Sequence, residues 1–231
     1  MRVLLLSHTQ QPEKTVAAAI RLCYSSAGIE SIRDRMDDAE AARLIEKVLG
    51  LGHFSVLEHA SFTLGIEGIS RACSHQLVRH RLASYSQQSQ RYVTMKNLEF
   101  FAPPAVAADE HIAERYYSLM AQCRQCYDEL LASGIEAEDA RYVLPSAAET
   151  NIIMTANARS LLNFFELRMC TRAQHEIREL AALMLAEVRK AAPILFANAG
   201  PACESRGYCS EGEMTCGRAE PLGHPSDDDQ S

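Results

Sequence analysis

The chain has 231 residues, of which 30 are acidic and 23 basic, and its formal net charge is −7. This length allows one large domain with a substantial core, and the acidic balance argues against an extended basic surface for nucleic acid. The opening apolar run is too short for a signal peptide, and no window resembles a membrane span. Eight cysteines without a secretory signal are more typical of reduced thiols than of a disulfide framework. We therefore expect a cytoplasmic protein that binds neither membrane nor nucleic acid.

The first part of the chain predicts strands and helices in alternation. Residues 2–6 indicate a short buried strand, and Pro12 begins an apolar pattern that is typical of a helix. Asp37 or Asp38 is expected to cap a second helix. Apolar residues then alternate over residues 60–67, which predicts a strand with one covered face.

A polar helix is predicted next. Ser70 is a good N-cap for a helix that reaches about His80. On such a helix Gln76, Arg79 and His80 share a face, because residues three and four apart are neighbours. This face therefore presents an amide, a guanidinium and an imidazole together.

A polar strand is predicted immediately after this helix. Over residues 84–93, period-two geometry would project Gln87, Ser89 and Arg91 from the same side. A hydroxyl and a guanidinium at this spacing suit two oxygens of one phosphate group. The junction between helix and strand therefore indicates a site for a phosphorylated ligand.

The second part of the chain predicts further helices around one more strand. Asp109 begins a long amphipathic helix that ends near Gly134. Residues 149–155 indicate another strand, and Thr171 with Gln174 fits a capping box for the helix with the clearest apolar stripe.

Between these elements lies a second polar segment. Asn157 is expected to cap a helix that runs to about residue 169, and Arg159 and Asn163 are four residues apart on it. Asn157 and Arg168 are separated by about three helical turns, so they share one side. The alternative is purely structural, with Asn157 as a cap and Arg159 paired with a surface acid.

An ordered set of motifs resembles the flavin-dependent thymidylate synthases. The signature is Arg79-His80-Arg81, then seven residues, then Ser89. The motifs that accompany it are His53, Ser55, Glu58 and His59, Ala83-Ser84-Tyr85, Arg91-Tyr92, Ala140 to Pro145, Asn157 to Asn163, and Arg168 with Ala173-Gln174. The resemblance extends over about residues 1–200 in consistent order.

The resemblance implies an α+β fold with a central twisted, largely antiparallel sheet flanked by helices. It implies one synthase domain over residues 1–217, followed by an acidic tail over residues 218–231 that we expect to be disordered. Family members are homotetramers with active sites shared between subunits. The site residues therefore need not converge within one chain.

The resemblance also implies which residues bind FAD and which bind dUMP. The residues expected to contact FAD are Ser55, Glu58, Arg79, His80, Arg81, Gln87, Asn157, Arg159 and Asn163. The residues expected to contact dUMP are Gln76, Arg79, Gln87, Ser89, Gln90, Arg91, Arg141 and Arg168. Gln87 stands where some relatives carry Glu, and either side chain can accept from a sugar hydroxyl. Arg172 stands where some carry His, so a flavin contact at this position would depart from the family pattern.

The reaction that the resemblance implies is reductive methylation of dUMP to dTMP. Methylenetetrahydrofolate would donate the one-carbon unit, and FAD recharged by NADPH would supply hydride, which no side chain can provide. Arg168 is the expected catalytic residue, because it would stabilise negative charge that develops on the uracil ring. No sequence feature identifies a base beside Ser89, so we favour Ser89 as a ligand of dUMP over a covalent role.

Other interpretations remain open from the sequence. The phosphate-binding residues could belong to a nucleotide sensor that catalyses no reaction. The arginines could instead bind nucleic acid, although no row of aromatic residues for base stacking accompanies them. A metal site at His53 and His59 lacks a recognisable helical ligand pair. Three cysteines near the C-terminus, Cys203, Cys209 and Cys216, leave room for metal or regulatory thiol chemistry.

Overall fold

The computed structural model describes residues 1–94 and 98–220, and the chain folds into two compact units. Unit 1 contains residues 1–2, 65–81 and 85–154, and unit 2 contains residues 3–64, 82–84 and those from 155 onward. A single domain over residues 1–217 stays a prediction. The predicted disordered tail lies outside the described residues from position 221.

The strands form one four-stranded antiparallel sheet. They are β1 (Arg2–His8), β2 (Ser61–Ser70), β3 (Ser84–Gln87) and β4 (Glu149–Asn157). Their order in the sheet is β1-β2-β4-β3. Together with the helices this confirms the predicted α+β class and the antiparallel sheet.

Side chains and backbone fix the register of β2 against β4. In unit 2 the hydroxyls of Thr63 and Thr155 are 3.0 Å apart. In unit 1 the Gly68 N–H donates to the Asn151 side-chain oxygen at 3.1 Å. Gly68 has φ +68°, and a Cβ there would come within 3.3 Å of the Met1 backbone nitrogen, so glycine suits both the backbone conformation and the space.

Ten α-helices and three 3₁₀ helices accompany the sheet in residues 1–94 and 98–220. The α-helices are α1 (Pro12–Cys23), α2 (Ile29–Arg35), α3 (Asp38–Gly50), α4 (Arg71–Leu77), α5 (Pro104–Ala107), α6 (Glu110–Ala132), α7 (Ala137–Ala140), α8 (Ala158–Arg168), α9 (His175–Ala191) and α10 (Ala202–Ser205). The 3₁₀ helices are Phe54–His59, Arg141–Val143 and Gly212–Met214. None of the helices in this described part is both long enough and apolar enough to cross a membrane.

Most predicted helix starts are confirmed. The Asp37 carboxylate accepts from a backbone N–H of α3 at 2.8 Å, and Asp109 does the same for α6 at 3.0 Å. The α9 helix differs, because its N-cap is Gln174 and not Thr171. The Gln174 side chain is long enough to reach the first free N–H groups of α9, so it replaces the predicted cap.

Aromatic packing in unit 2 supports α8 from its apolar side. Phe165 of α8 and Phe62 of β2 each pack edge-on against Phe196, with ring centroids 6.1 Å and 5.3 Å apart. All three side chains are fully buried. Edge-on aromatic pairs contribute roughly 0.5–1.5 kcal/mol each beyond the area they bury. This packing fixes the position of α8 and leaves its polar side available.

Unit 1 has its own apolar cluster. Tyr127 of α6 is buried together with Leu98, Ala140 and Ala148. Because Ala140 ends α7 and Ala148 immediately precedes β4, the cluster holds the α7 segment beside the sheet. The polar residues in and next to α7 therefore lie on a segment whose position is fixed by this buried cluster.

Candidate functional site

A turn held by Tyr85 carries the Arg79-His80-Arg81 motif of unit 1. The α4 helix ends at Leu77, so the prediction that it continues to about His80 is wrong. The Tyr85 hydroxyl lies within hydrogen-bond distance of two backbone carbonyl oxygens, that of Leu77 at 3.0 Å and that of His80 at 2.7 Å, and shares its one hydrogen between them. These carbonyls lie where a helix end leaves acceptors unsatisfied, so Tyr85 stabilises a turn in place of further helix. Arg79 and Arg81 are exposed on this turn, whereas His80 is buried.

A second turn carries Ser89 and Arg91. The prediction of a strand over residues 84–93 is too long, because β3 ends at Gln87. The Gln88 N–H still donates to β4 at 2.9 Å, after which the Ser89 hydroxyl accepts from the Arg91 N–H at 3.2 Å. This local hydrogen bond competes with strand pairing and turns the chain. Ser89 and Arg91 are therefore brought together by a turn and not by strand periodicity.

Arg91 and Arg141 meet at one acidic residue of α7. The Arg91 Nε and Nη2 atoms donate to one carboxylate oxygen of Glu138 at 2.8 Å and 2.7 Å. The hydrogen bond and charge of Glu138 raise the pKa of Arg91. Arg141 donates from Nε to the Glu138 backbone carbonyl at 3.0 Å. A single acidic residue thus orients one guanidinium through its side chain and another through its backbone.

Arg71 completes this group and was not predicted from the sequence. It begins α4, and the N–H groups of Arg71 and Ala72 donate to the carbonyls of Ala148 and Ser146 at 2.9 Å each. Burial lowers the pKa of Arg71, and the positive charge of Arg141 lowers it further. In the described residues, neither of these two arginines forms a salt bridge with a carboxylate.

We call Arg71, Arg91 and Arg141 the arginine cluster. Within the described residues Arg91 pairs with the Glu138 carboxylate, whereas Arg71 and Arg141 have no carboxylate partner, so the cluster carries excess positive charge. Guanidinium groups bind phosphate and carboxylate through paired hydrogen bonds. The arrangement therefore suits an anionic ligand. The only sequence signal for Arg71 was its position after the Ser70 cap, at the start of the polar helix.

The predicted glutamine residues of unit 1 lie on β3, on the turn that follows it and on α4. The Gln87 amide donates to the hydroxyls of Ser74 and Thr150 at 2.9 Å and 3.3 Å. Gln90 is 7% exposed, and its Nε2 atom has no hydrogen-bond partner in the part of the chain that the structure describes. A buried amide nitrogen without a partner is costly, which favours an acceptor supplied by a ligand. Gln76 is half-buried in the last turn of α4.

In unit 2 the start of α8 forms a separate group. The Arg159 guanidinium donates to the Glu58 carboxylate, which is carried by the 3₁₀ helix Phe54–His59. The Ala158 N–H donates to the Ala60 carbonyl at 2.8 Å, which ties the start of α8 to the end of that helix. Asn157 is the N-cap and accepts a backbone hydrogen bond at 2.9 Å, as predicted. The structure therefore brings the predicted residues Glu58, Asn157 and Arg159 together.

The remaining predicted residues of unit 2 lie on the same elements. Ser55 and Asn163 are exposed, on the 3₁₀ helix and on α8. Arg168 is half-buried and is the last residue of α8, so the predicted span of about three turns from Asn157 is confirmed. Hydroxyl, amide and guanidinium donors, here on the 3₁₀ helix and on α8, are the groups that bind diphosphate and sugar oxygens. The donor set fits a nucleotide-containing cofactor.

Comparison with known proteins places these residues in one family. A family model described as "Thymidylate synthase complementing protein" matches residues 4–194. The chain is 55% identical to a flavin-dependent thymidylate synthase of Geobacter sulfurreducens, over 95% of both chains. It is 44% identical to the protein of that name from Clostridium tetani, over 95% of this chain and 94% of the relative. The corresponding protein of Nitratidesulfovibrio vulgaris is 46% identical over 94% of both chains.

The hydrogen bonds of Gln87 lead to a stability prediction. Gln87→Ala removes the donor shared by Ser74 and Thr150, so we expect the free energy of unfolding to fall by about 1–3 kcal/mol. Urea denaturation of the protein without ligands measures this change. The matched control is Ser86→Ala, an exposed neighbour in β3, which should change stability by less than about 0.5 kcal/mol. Equal effects of the two substitutions would contradict a structural role for the Gln87 amide.

Proposed function

Since this chain belongs to the flavin-dependent thymidylate synthase family, we propose that it methylates dUMP reductively to dTMP. Methylenetetrahydrofolate is the proposed one-carbon donor, and NADPH is the proposed reductant. The observation that carries the proposal is the arginine cluster of unit 1, where Arg91 pairs with Glu138 while Arg71 and Arg141 have no carboxylate partner within the described residues. A monophosphate supplies the negative charge that this group lacks.

The arginine cluster is the proposed phosphate site for dUMP. Arg141 lacks a carboxylate partner within the described residues, and Arg71 is positioned beside it by backbone hydrogen bonds. The Ser89 hydroxyl accepts from Arg91 N–H, which leaves its own hydrogen for donation to a phosphate oxygen. The unpartnered amide nitrogen of Gln90 is a further donor beside this turn. These groups would bind the phosphate and sugar, and so orient the base.

The residues proposed to contact FAD form two separate groups, one in unit 1 and one in unit 2. Arg79 and Arg81 are exposed on the Tyr85 turn, and no salt bridge holds either of them within the described residues. Asn157, Arg159 and their neighbours on α8 provide amide and guanidinium donors for diphosphate and ribose oxygens. When bound, the flavin supplies the hydride that side chains cannot provide.

Arg168 is the proposed catalytic residue. It is half-buried at the C-terminal end of α8, where the helix dipole favours a positive charge. A guanidinium stays protonated at working pH, so it can stabilise negative charge on the uracil ring without moving a proton. The aromatic packing of Phe165 against Phe196 fixes the helix that carries it. We propose that α8 contributes to the reaction by holding this positive charge in place beforehand.

Because the family resemblance implies homotetramers with shared sites, we propose the same assembly for this chain. The dUMP residues lie in unit 1, except Arg168, whereas the α8 group lies in unit 2. A shared site can take these groups from different subunits. Under this proposal each subunit contributes its dUMP residues of unit 1 to one active site and its α8 group to another.

The test of the proposed function is NADPH-dependent formation of dTMP by the purified protein. We expect visible flavin bands that NADPH bleaches without oxygen, and dTMP formation that requires dUMP and methylenetetrahydrofolate. Omission of each component in turn is the control. A protein that binds flavin and dUMP but never forms dTMP would instead be a nucleotide sensor, and the proposal would fail.

Arg141→Ala should weaken dUMP binding through the phosphate. Loss of a charged hydrogen-bond donor costs about 1.5–3 kcal/mol, so we expect Kd for dUMP to rise about 10–100-fold. Isothermal titration calorimetry with dUMP and with deoxyuridine separates the phosphate contribution, because only dUMP affinity should fall. Arg115→Ala, at an exposed position of α6, is the matched control and should bind both ligands normally. Unchanged dUMP affinity in the Arg141 variant would refute the phosphate site.

Ser89→Ala should bind dUMP less tightly but still form dTMP. None of the hydrogen bonds described for Ser89 links its hydroxyl to a His, Lys, Asp or Glu side chain that could act as a base. Single-turnover assays at saturating dUMP measure the remaining rate, and mass spectrometry after acid quenching tests for a protein–nucleotide adduct. Complete loss of the reaction with intact dUMP binding, or an adduct at Ser89 in the parent protein, would show that Ser89 is the nucleophile.

A further inference from the structure

Four cysteines of unit 2 line one narrow cavity. It lies between the residues that follow α8 and the C-terminal segment, and the cysteines that line it are Cys170, Cys203, Cys209 and Cys216. All four are free thiols, and they come from three different segments of the chain. The proposed synthase reaction uses none of them. Their convergence therefore needs a separate explanation.

Cys216 has the surroundings of a reactive thiol. It is exposed and lines the cavity together with Thr171, which is the largest cause of the lowered pKa of its thiol. The backbone and the charge of Arg218 also favour the thiolate, so the pKa of Cys216 lies below its ordinary value. The thiolate is the form that attacks peroxides and disulfides. Cys216 is thus both accessible and activated.

Cys203 is the thiol beside it. Burial raises the pKa of Cys203, with smaller contributions from the negative charges of Glu204 and Cys216. Both thiols line the same narrow cavity, where the charge of a Cys216 thiolate makes the Cys203 thiol less acidic. A less acidic thiol next to a more acidic one is the arrangement of a resolving cysteine and an attacking cysteine.

Ion pairs hold the two segments against each other. Arg218, two residues after Cys216, pairs with Glu204, the neighbour of Cys203, at 3.7 Å. Arg206 anchors the α10 segment to α8 through two hydrogen bonds with Glu166, at 2.7 Å and 2.6 Å. The two thiols are therefore brought together by the fold of unit 2 and not by an exposed tail alone.

We propose that Cys216 and Cys203 are a reversible redox modification site that forms a disulfide when the protein meets a hydroperoxide. The Cys216 thiolate attacks the peroxide, the O–O bond breaks, and the sulfur becomes a sulfenic acid while the peroxide is reduced to an alcohol or water. Cys203 then attacks this sulfur. The S–S bond forms, and the sulfenic oxygen leaves as water with the Cys203 proton. A small-molecule thiol reverses the reaction by exchange.

A metal is the other chemistry that clustered thiols suggest. Structural zinc requires four ligands in tetrahedral geometry. Among residues 1–94 and 98–220, no group of three or more His, Cys, Asp or Glu side chains could hold a metal ion. Oxidation of a close pair is therefore the better explanation of this cavity.

Peptide mapping of the full chain tests the pairing. The protein is treated with hydrogen peroxide, free thiols are blocked with N-ethylmaleimide, and trypsin with glutamyl endopeptidase then separates the four cysteines of the cavity into different peptides. We expect the peptide with Cys203 to be linked to the peptide with Cys216, with the loss of two hydrogen atoms, and dithiothreitol should restore both. Stoichiometric zinc, a disulfide from Cys216 to Cys209 or Cys170, or no disulfide would overturn the proposal.

Single substitutions separate the roles of the two thiols. Cys216→Ser should abolish the linked peptides, whereas Cys203→Ser should leave a sulfenic acid on Cys216 that dimedone traps. Cys23→Ser, at an exposed thiol in α1, is the matched control and should retain the disulfide. Dimedone labelling of Cys203 in the Cys216 variant would reverse the assigned roles and contradict the proposal.

The disulfide should also be visible in thermal unfolding. It closes a short loop between α10 and the C-terminal segment, so it restricts the unfolded chain. Peroxide treatment should raise the unfolding temperature of the parent protein and of the Cys23 variant by the same amount. The Cys216 variant should show no rise, and an equal rise there would overturn the proposal.

Discussion

Two guanidinium groups repel each other, and partial burial strengthens the repulsion because less water screens it. Arg71 and Arg141 nevertheless lie close enough that one lowers the pKa of the other. Their segments are held in place by hydrogen bonds to backbone carbonyls, from Arg71 to Ala148 and from Arg141 to Glu138. The fold of unit 1 therefore maintains a repulsion that an anionic ligand can relieve. The proposed affinity for dUMP depends on this arrangement.

The same unit shows why irregular backbone carries the candidate site. Tyr85 satisfies the carbonyls at the end of α4, and the Ser89 hydroxyl satisfies the N–H of Arg91. Each contact replaces a hydrogen bond that continued helix or strand would have made. The motif side chains consequently lie on two short turns, one between α4 and β3 and one directly after β3. Such turns position side chains in directions that helical or strand periodicity cannot.

Unit 2 shows how an apolar core supports a polar helix. One side of α8 is buried by Phe164 and Phe165, while Arg159 and Asn163 remain exposed. The α8 helix can therefore expose hydrogen-bond donors on one side while its other side stays packed in the core. Its C-terminal end adjoins the cysteine cavity, because Glu166 of α8 binds the segment that carries Cys203. Oxidation of this cavity would thus modify the region next to the proposed catalytic arginine.

The sequence by itself determined the α+β class, most helix starts and the family, because caps such as Asp37 and Asp109 and the ordered motifs are local signals. Only the tertiary structure decided that α4 stops at Leu77 and that β3 stops at Gln87. Those ends depend on the Tyr85 hydroxyl and on pairing with β4, which local periodicity does not encode. The role of Arg71 and the meeting of Cys170 with the three C-terminal cysteines in one cavity were inaccessible for the same physical reason. Each arises from residues distant in sequence whose charges or thiols meet only after the chain has folded.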